Sequence, residues 1–195
     1  MCADCRTGNL DYANTIMTIR FKPFGTTDDE LRKLERLGLK YDKRQKKQML
    51  AASKARKPTL NDITAFEAKT GFILPESYQK FLLNNNGGIP NISAVVIPGN
   101  RALVVQALYA LTNPAKIYTL SHLTDVYKAR IPKEMLPIGD DPGGNLFLIN
   151  AGSSGEHGKI YFWDHNEEAD LEKQPYYKNI YFIAHSFADF IDRLA

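Results

Sequence analysis

The segment Pro137–Asn150, PIGDDPGGNLFLIN, joins a cluster of turn-forming residues directly to a dense apolar stretch. The turn combines side-chain hydrogen-bond acceptors, the fixed φ angle of proline, and two glycines that can adopt positive φ angles. This combination predicts a tight loop over 140–145 that delivers Asn145 to the start of a strand. Within the loop we expect Asp140 to accept backbone N–H hydrogen bonds and to hold the turn in one shape.

Helical and alternating patterns surround this segment. Thr59 is expected to cap a helix that ends at Gly71, Pro75 to open a second helix, and Ser186 to cap the last one. The apolar spacing predicts a further helix near 122–130. Strands are expected at 93–97, 102–109, 116–120, 145–150, 158–163 and 179–183, and a short strand or extended arm around Ile16, Ile19 and Phe21.

Four motifs together carry a family resemblance. Taken with LPESYQKFLLNNNGG (Leu74–Gly88), GKIYFWDHN (Gly158–Asn166) and SFADFIDRL (Ser186–Leu194), the opening segment resembles the SUKH superfamily. This superfamily contains the Smi/Knr-like yeast cell-wall regulators and many bacterial immunity proteins. The resemblance covers Thr59–Leu194. It implies an α+β fold in which a mainly antiparallel central sheet of about six strands is backed by N- and C-terminal helices. It also implies a binding module, not an enzyme.

Residues 1–57 lie outside this pattern and differ from the rest in charge. They hold 14 Lys/Arg and 7 Asp/Glu, whereas residues 58–195 hold 11 Lys/Arg and 15 Asp/Glu. Thr27 and Glu30 fit a capping box for a helix over 28–37, and residues 42–57 are either a second helix or a mobile linker. We therefore expect a basic N-terminal extension, 1–57, followed by an acidic Smi/Knr-like domain, 58–195.

The cysteines and the apolar segments indicate a soluble, cytoplasmic protein. Cys2 and Cys5 are the only cysteines, too few for a disulfide framework or a four-ligand zinc site. No apolar run reaches the ~18 residues of a membrane-spanning helix, and the first residues lack the apolar core of a signal peptide. Met17 is an alternative start that would remove both cysteines. We expect no metal and no cofactor, and the sequence leaves the oligomeric state open.

The catalytic constellations tested are all incomplete. His165-Asn166-Glu167 matches part of a zinc-deaminase signature, but the Pro-Cys-x-x-Cys partner is absent. The Gly-Ser-Ser-Gly loop at 152–155 is not a Gly-x-Ser-x-Gly nucleophile elbow and is expected to join two strands. Asp140 and Asp141 lack the further converging carboxylates of a metal or hydrolytic site. A hydrolase that uses this pair or His157 is the least supported alternative.

We expect a binding face at the 140–145 loop, Trp163 and the acidic 164–172 loop. Alternation along the strand places Tyr161 and Trp163 on one side of the sheet and Phe162 on the other. An acidic loop would attract a basic partner, and tyrosines could anchor it. The predicted contact residues are Asp140, Asp141, Asn145, Trp163, Asp164, Glu167, Glu168, Asp170, Tyr176 and Tyr177. The glycines expected to maintain turns are Gly87, Gly88, Gly143 and Gly144.

The leading hypothesis is an immunity protein of a polymorphic toxin system that binds a cognate protein toxin and covers its active site. A nuclease or another toxin that targets nucleic acid fits best, because such a toxin must be basic to hold phosphate. The alternative is a non-catalytic regulatory scaffold or adaptor of the Smi/Knr cell-wall regulator type. The sequence does not favour a membrane or nucleic acid as partner, since Tyr41 is the single aromatic residue in the basic segment 32–57.

Overall fold

A computed structural model describes residues 18–97, 101–153, 155–170 and 174–194 of the chain. Cys2, Cys5, Ile16 and Met17 lie outside the described residues, as do residues 171–173 of the acidic loop. The strands, in chain order, are β1 (Phe21–Lys22), β2 (Ile89–Pro90), β3 (Ala94–Ile97), β4 (Arg101–Val104), β5 (Ala107–Leu108), β6 (Met135–Asp140), β7 (Leu146–Asn150), β8 (Ile160–Trp163) and β9 (Ile180–Ala184).

The helices are α1 (Asp28–Arg36), α2 (Lys43–Ala52), α3 (Leu60–Thr70), α4 (Glu76–Asn85), α5 (Leu120–Tyr127) and α6 (Phe187–Asp192). The fold is α+β, as expected, with a five-stranded antiparallel sheet in the order β5-β6-β7-β8-β9. Strands β1 and β2 form one antiparallel pair, and β3 and β4 form another. The expected caps are confirmed, because Thr27, Thr59 and Ser186 each accept a backbone N–H from the first turn of their helix.

Strand β7 is buried on both faces of the sheet, which explains its unbroken apolar sequence. Phe147 and Ile149 lie in the main core with residues of α3, α4 and α6. Leu146 and Leu148 lie in a second core on the opposite face, together with Trp163. The expected alternation along β8 is confirmed, since Phe162 belongs to the main core while Tyr161 and Trp163 belong to the second one.

Strand β6 was not expected from the sequence, because proline and glycine interrupt it. Pro137 lacks the backbone N–H that a central strand normally uses. The pairing of β6 with β7 shifts register between Pro137 and Gly139, which accommodates the missing donor in a bulge. A Cβ atom at Gly139 would lie 2.5 Å from the carbonyl oxygen of Ala107, so the close approach of β5 requires glycine there.

Four other predicted elements differ from the structure. Residues 102–109 divide into two strands of different sheets, and 116–120 contains a 3₁₀ turn at Lys116–Tyr118 where a strand was expected. Helix α5 ends at Tyr127, earlier than expected, and α2 ends at Ala52. Strand propensity depends on packing context, so the residue pattern alone did not fix where these elements begin and end.

The part of the extension that the structure describes packs on the remainder of the chain. The Phe24 ring is buried and stacks on Tyr118, with ring centroids 4.5 Å apart. Phe21 meets Phe81 edge to face, with centroids 4.9 Å apart, and β1 pairs with β2. The extension therefore adds its own residues to the surface next to β5.

Candidate functional site

Asp141, not Asp140, holds the turn between β6 and β7. Its Oδ1 atom accepts the backbone N–H groups of Gly143 and Asn145 at 2.8 Å each, and its Oδ2 atom accepts Asn145 Nδ2 at 2.9 Å. The prediction that Asp140 plays this role is wrong, because Asp140 is the last residue of β6 and its backbone pairs with the neighbouring strands. Gly144 has φ 88°, the left-handed conformation that the turn requires.

Asn145 connects this turn to the segment that follows β8. Its Oδ1 atom accepts the backbone N–H of His165 at 3.0 Å and lies 2.8 Å from His165 Nδ1, while its Nδ2 atom donates to Asp141. The side chain is 9% exposed. Asn145 was predicted to contact a partner, but its hydrogen bonds are used within the molecule, and it fixes one loop against the other.

The acidic segment, defined as Asp164–Asp170, is held in place by several side chains. The Arg130 guanidinium donates to Glu168 through two hydrogen bonds of 2.9 Å. The guanidinium carbon lies 4.9 Å from the Tyr127 ring centroid and 5.2 Å from that of Trp163. The Glu168 carboxylate raises the Arg130 pKa, and this paired geometry holds the segment against the second core.

The exposed end of the acidic segment is also tied to neighbouring strands and loops. The Tyr181 hydroxyl donates to the Glu167 carboxylate, and the Tyr176 hydroxyl donates to the Glu167 carbonyl oxygen. Asp164 Oδ1 accepts the Asn166 backbone N–H at 3.0 Å, which closes the 3₁₀ turn at His165–Glu167. The segment therefore presents its carboxylates on a supported backbone.

Two aromatic residues predicted as contacts have different surroundings. Trp163 is 1% exposed and fills the second core, so its side chain offers no surface for direct contact. Tyr177 is 57% exposed, and its hydroxyl donates to Glu134, the residue before β6. Tyr177 lines a different pocket, together with Glu134, Gly152 and Ser153.

A pocket of about 450 Å³ opens beside Asp140, between the extension and the strand β5 region. We call it the Asp140 pocket. Its lining includes four aromatic residues, Phe24, Tyr109, Tyr118 and Tyr127. Sequence reasoning missed this pocket because its residues come from distant parts of the chain and follow no common spacing.

Asp140 is the one charged residue that lines this pocket among those the structure describes. Burial raises its pKa to about 6, and the negative charge of Asp141 adds to the rise, whereas a hydrogen bond with the Tyr109 hydroxyl lowers it. Asp140 Oδ1 is buried and has no hydrogen-bond partner among the described residues. Asp140 therefore places a negative charge beside the aromatic residues of the pocket lining.

The turn glycines near α4 have structural roles. Gly87 has φ 75°, and a Cβ atom there would lie 2.5 Å from the Leu108 carbonyl oxygen. Gly88 exchanges two backbone hydrogen bonds with Leu108, at 2.8 and 2.9 Å. This turn fixes the end of α4 against β5, and so positions one wall of the Asp140 pocket.

Comparison with known proteins identifies the family. The model of the SMI1/KNR4 family (SUKH-1) matches residues 57–193, and the chain belongs to this family. Over 93 residues, the chain is 30% identical to the SPbeta prophage-derived uncharacterized protein YokK of Bacillus subtilis (strain 168). The match covers 48% of this chain and 42% of YokK, so the chain spans less than half of that relative.

A solved structure also shows partial similarity. The crystal structure of a protein from Pseudomonas syringae pv. tomato covers 60% of this chain and 86% of its own, with 15% identity and a TM-score of 0.40. In the described ranges, no helix is long and apolar enough to cross a membrane. Among the same residues, no three His, Cys, Asp or Glu side chains gather as metal ligands would.

Proposed function

We propose that this protein is a cytoplasmic immunity protein that binds a cognate protein toxin and blocks it without catalysis of its own. Membership in the SUKH-1 family supports this proposal, because the SUKH superfamily contains many bacterial immunity proteins. We choose the acidic segment as the binding surface because neighbouring side chains hold its backbone in place. Its carboxylates stand at one end of the sheet next to the turn that Asp141 locks.

A surface that is already ordered loses little conformational entropy when it binds. The Asn145–His165 link and the Arg130–Glu168 pair hold the acidic segment in one arrangement before any partner arrives. A fixed group of negative charges attracts a basic partner and raises the association rate more than the final affinity. These features suit a protein that must capture a toxin quickly.

The proposed mechanism is occlusion. A toxin that cleaves or modifies nucleic acid needs a basic cleft to hold phosphate. The acidic segment would enter or border such a cleft, with Glu167 and Asp170 at its exposed positions. In this proposal Tyr176 supports the segment through its hydrogen bond to the Glu167 carbonyl oxygen, and its role as a direct anchor stays a prediction.

The test is capture followed by rescue. The tagged full-length protein is purified from its native host through a moderate-salt wash, and the retained proteins are identified by mass spectrometry. Each retained protein is then expressed in a heterologous bacterium with and without this chain. We expect a partner that stops growth alone and is tolerated when the chain is co-expressed.

The outcome that contradicts the proposal is equally specific. If every retained partner is harmless on expression, or if co-expression fails to restore growth, the immunity function is wrong. Recovery of harmless kinases or cell-wall factors would favour the regulatory adaptor, the alternative that the yeast relatives suggest. A co-expressed Gly87→Val variant serves as a control, since it should misfold and give no rescue.

A further inference from the structure

The Asp140 pocket has the composition of a site for a positively charged organic group. Its walls are aromatic and aliphatic, and Asp140 is the one charged residue among the described lining residues. Aromatic faces attract cations through their negative quadrupoles, and a carboxylate adds an ion pair. An anionic ligand would be repelled by Asp140, and a purely apolar ligand would leave the negative charge of Asp140 without a counter-ion.

The shape of the pocket suits a group of amino-acid size. Its volume of about 450 Å³ lies within the range of small-molecule sites and greatly exceeds that of a bare metal ion. Phe24 and Tyr118 stack with an interplanar angle of 13°, which fixes both rings at the pocket. Ile89 and Ile117 are 44% and 39% exposed and belong to the lining, so part of the pocket edge is apolar and open to solvent.

A neighbouring contact shows that the region already accommodates a cation. The Arg130 guanidinium lies 4.9 Å from the Tyr127 ring centroid, and Tyr127 also lines the pocket. Arg130 is paired with Glu168, so its charge is already balanced. The carboxylate of Asp140 has no such partner at Oδ1 among the described residues.

We propose that the Asp140 pocket binds an organic cation, an ammonium or guanidinium group carried on a short apolar stem. The cation pairs with the Asp140 carboxylate, and the stem lies against the stacked Phe24 and Tyr118 rings. Two sources supply this chemistry, a free small-molecule amine and a lysine or arginine side chain of another protein. The inference does not depend on the proposed toxin binding.

The experiment is an NMR titration of the ¹⁵N-labelled full-length protein at pH 7.5. The probes are N-acetyl-lysine methylamide, N-acetyl-arginine methylamide and n-butylammonium, with N-acetyl-norleucine methylamide as the uncharged control. We expect saturable shifts of the Gly25, Gln106 and Asp140 amides with the cations, and binding about tenfold weaker for norleucine. If the capped residues bind more tightly than n-butylammonium, the source is a protein side chain; if not, it is a free amine.

Two variants make the test decisive. Asp140→Asn keeps the side-chain shape and should weaken cation binding about tenfold. Asp125→Asn changes an exposed carboxylate that does not line the pocket and should leave binding unchanged. Equal binding of norleucine and lysine probes, unchanged binding in Asp140→Asn, or no saturable shift at tens of millimolar would each overturn the proposal.

Discussion

Asp140 and Asp141 are adjacent in sequence, but their carboxylates have different surroundings. Asp141 accepts three hydrogen bonds inside its own turn, two from backbone N–H groups and one from Asn145. Asp140 ends a strand, lines a pocket and keeps one oxygen without a partner among the described residues. The sequence indicated that an aspartate would lock the turn, and the choice of Asp140 was wrong because the position of the turn depends on where β6 ends.

Replacing Asp141 by alanine should destabilise the protein by about 1–3 kcal/mol, since it leaves the Gly143 and Asn145 donors without their acceptor. The free energy of unfolding is measured by urea denaturation at pH 7. Asp140→Asn is the matched control and should not destabilise the protein, because it removes a partly buried charge and preserves the shape. An equal loss of stability in Asp141→Ala and Asp140→Asn would contradict the conclusion that Asp141, not Asp140, holds the turn.

The raised pKa of Asp140 predicts a specific pH dependence. Between about pH 4 and pH 6 the folded protein keeps the Asp140 proton that the unfolded chain releases, so this carboxyl makes the free energy of unfolding fall as pH rises. Above pH 6 this loss of stability is complete. We expect the free energy of unfolding to fall by about 1 kcal/mol in total, after allowing for solvent screening of a partly exposed group.

The measurement compares wild type with Asp140→Asn by urea denaturation from pH 3.5 to pH 8. The variant should gain stability relative to wild type across the window from pH 4 to pH 6 and keep that gain at higher pH. A constant difference over the whole range would mean that Asp140 titrates normally and is not buried as described.

At the scale of elements, the buried Phe24 ring is one of the contacts that hold the extension on the rest of the chain. Phe24→Ala removes the buried ring that stacks on Tyr118 and should cost about 3–5 kcal/mol. Thermal unfolding checks this value. Leu37→Ala is the control, because Leu37 is 79% exposed and its loss should change stability little. A negligible effect of Phe24→Ala would show that the extension does not pack on the domain.

The sequence predicted the elements with strong local signals and missed those set by distant contacts. The caps at Thr27, Thr59 and Ser186 were predictable, since capping depends on residues within one turn. Strand β6 was not predictable, because its bulge at Pro137 depends on the pairing with the neighbouring strands β5 and β7. The Asp140 pocket was missed for the same reason, since Phe24 reaches it from 116 positions away in the chain.

At the scale of the whole molecule, the exposed carboxylates of the acidic segment should control the rate at which the partner binds. Glu167→Gln combined with Asp170→Asn should slow association with the captured toxin about threefold to tenfold at low salt, and the difference should shrink at high salt. Stopped-flow or surface-binding kinetics at several ionic strengths measure the effect.

Glu168→Gln is the matched control for this experiment. It removes one negative charge where the double variant removes two, and Glu168 is paired with Arg130, so the comparison is made per charge removed. Per charge removed, we expect a smaller effect on association and a larger effect on stability. Unchanged association of the double variant at low salt would exclude the acidic segment from the interface.

The measurement that tests the central claim most directly is a titration of the purified toxin with this protein while the toxin's activity is followed. Occlusion of an active site by a tightly bound partner predicts that activity falls linearly and ends at one protein per toxin. Activity that persists in the presence of excess protein, although the two remain bound, would contradict the account.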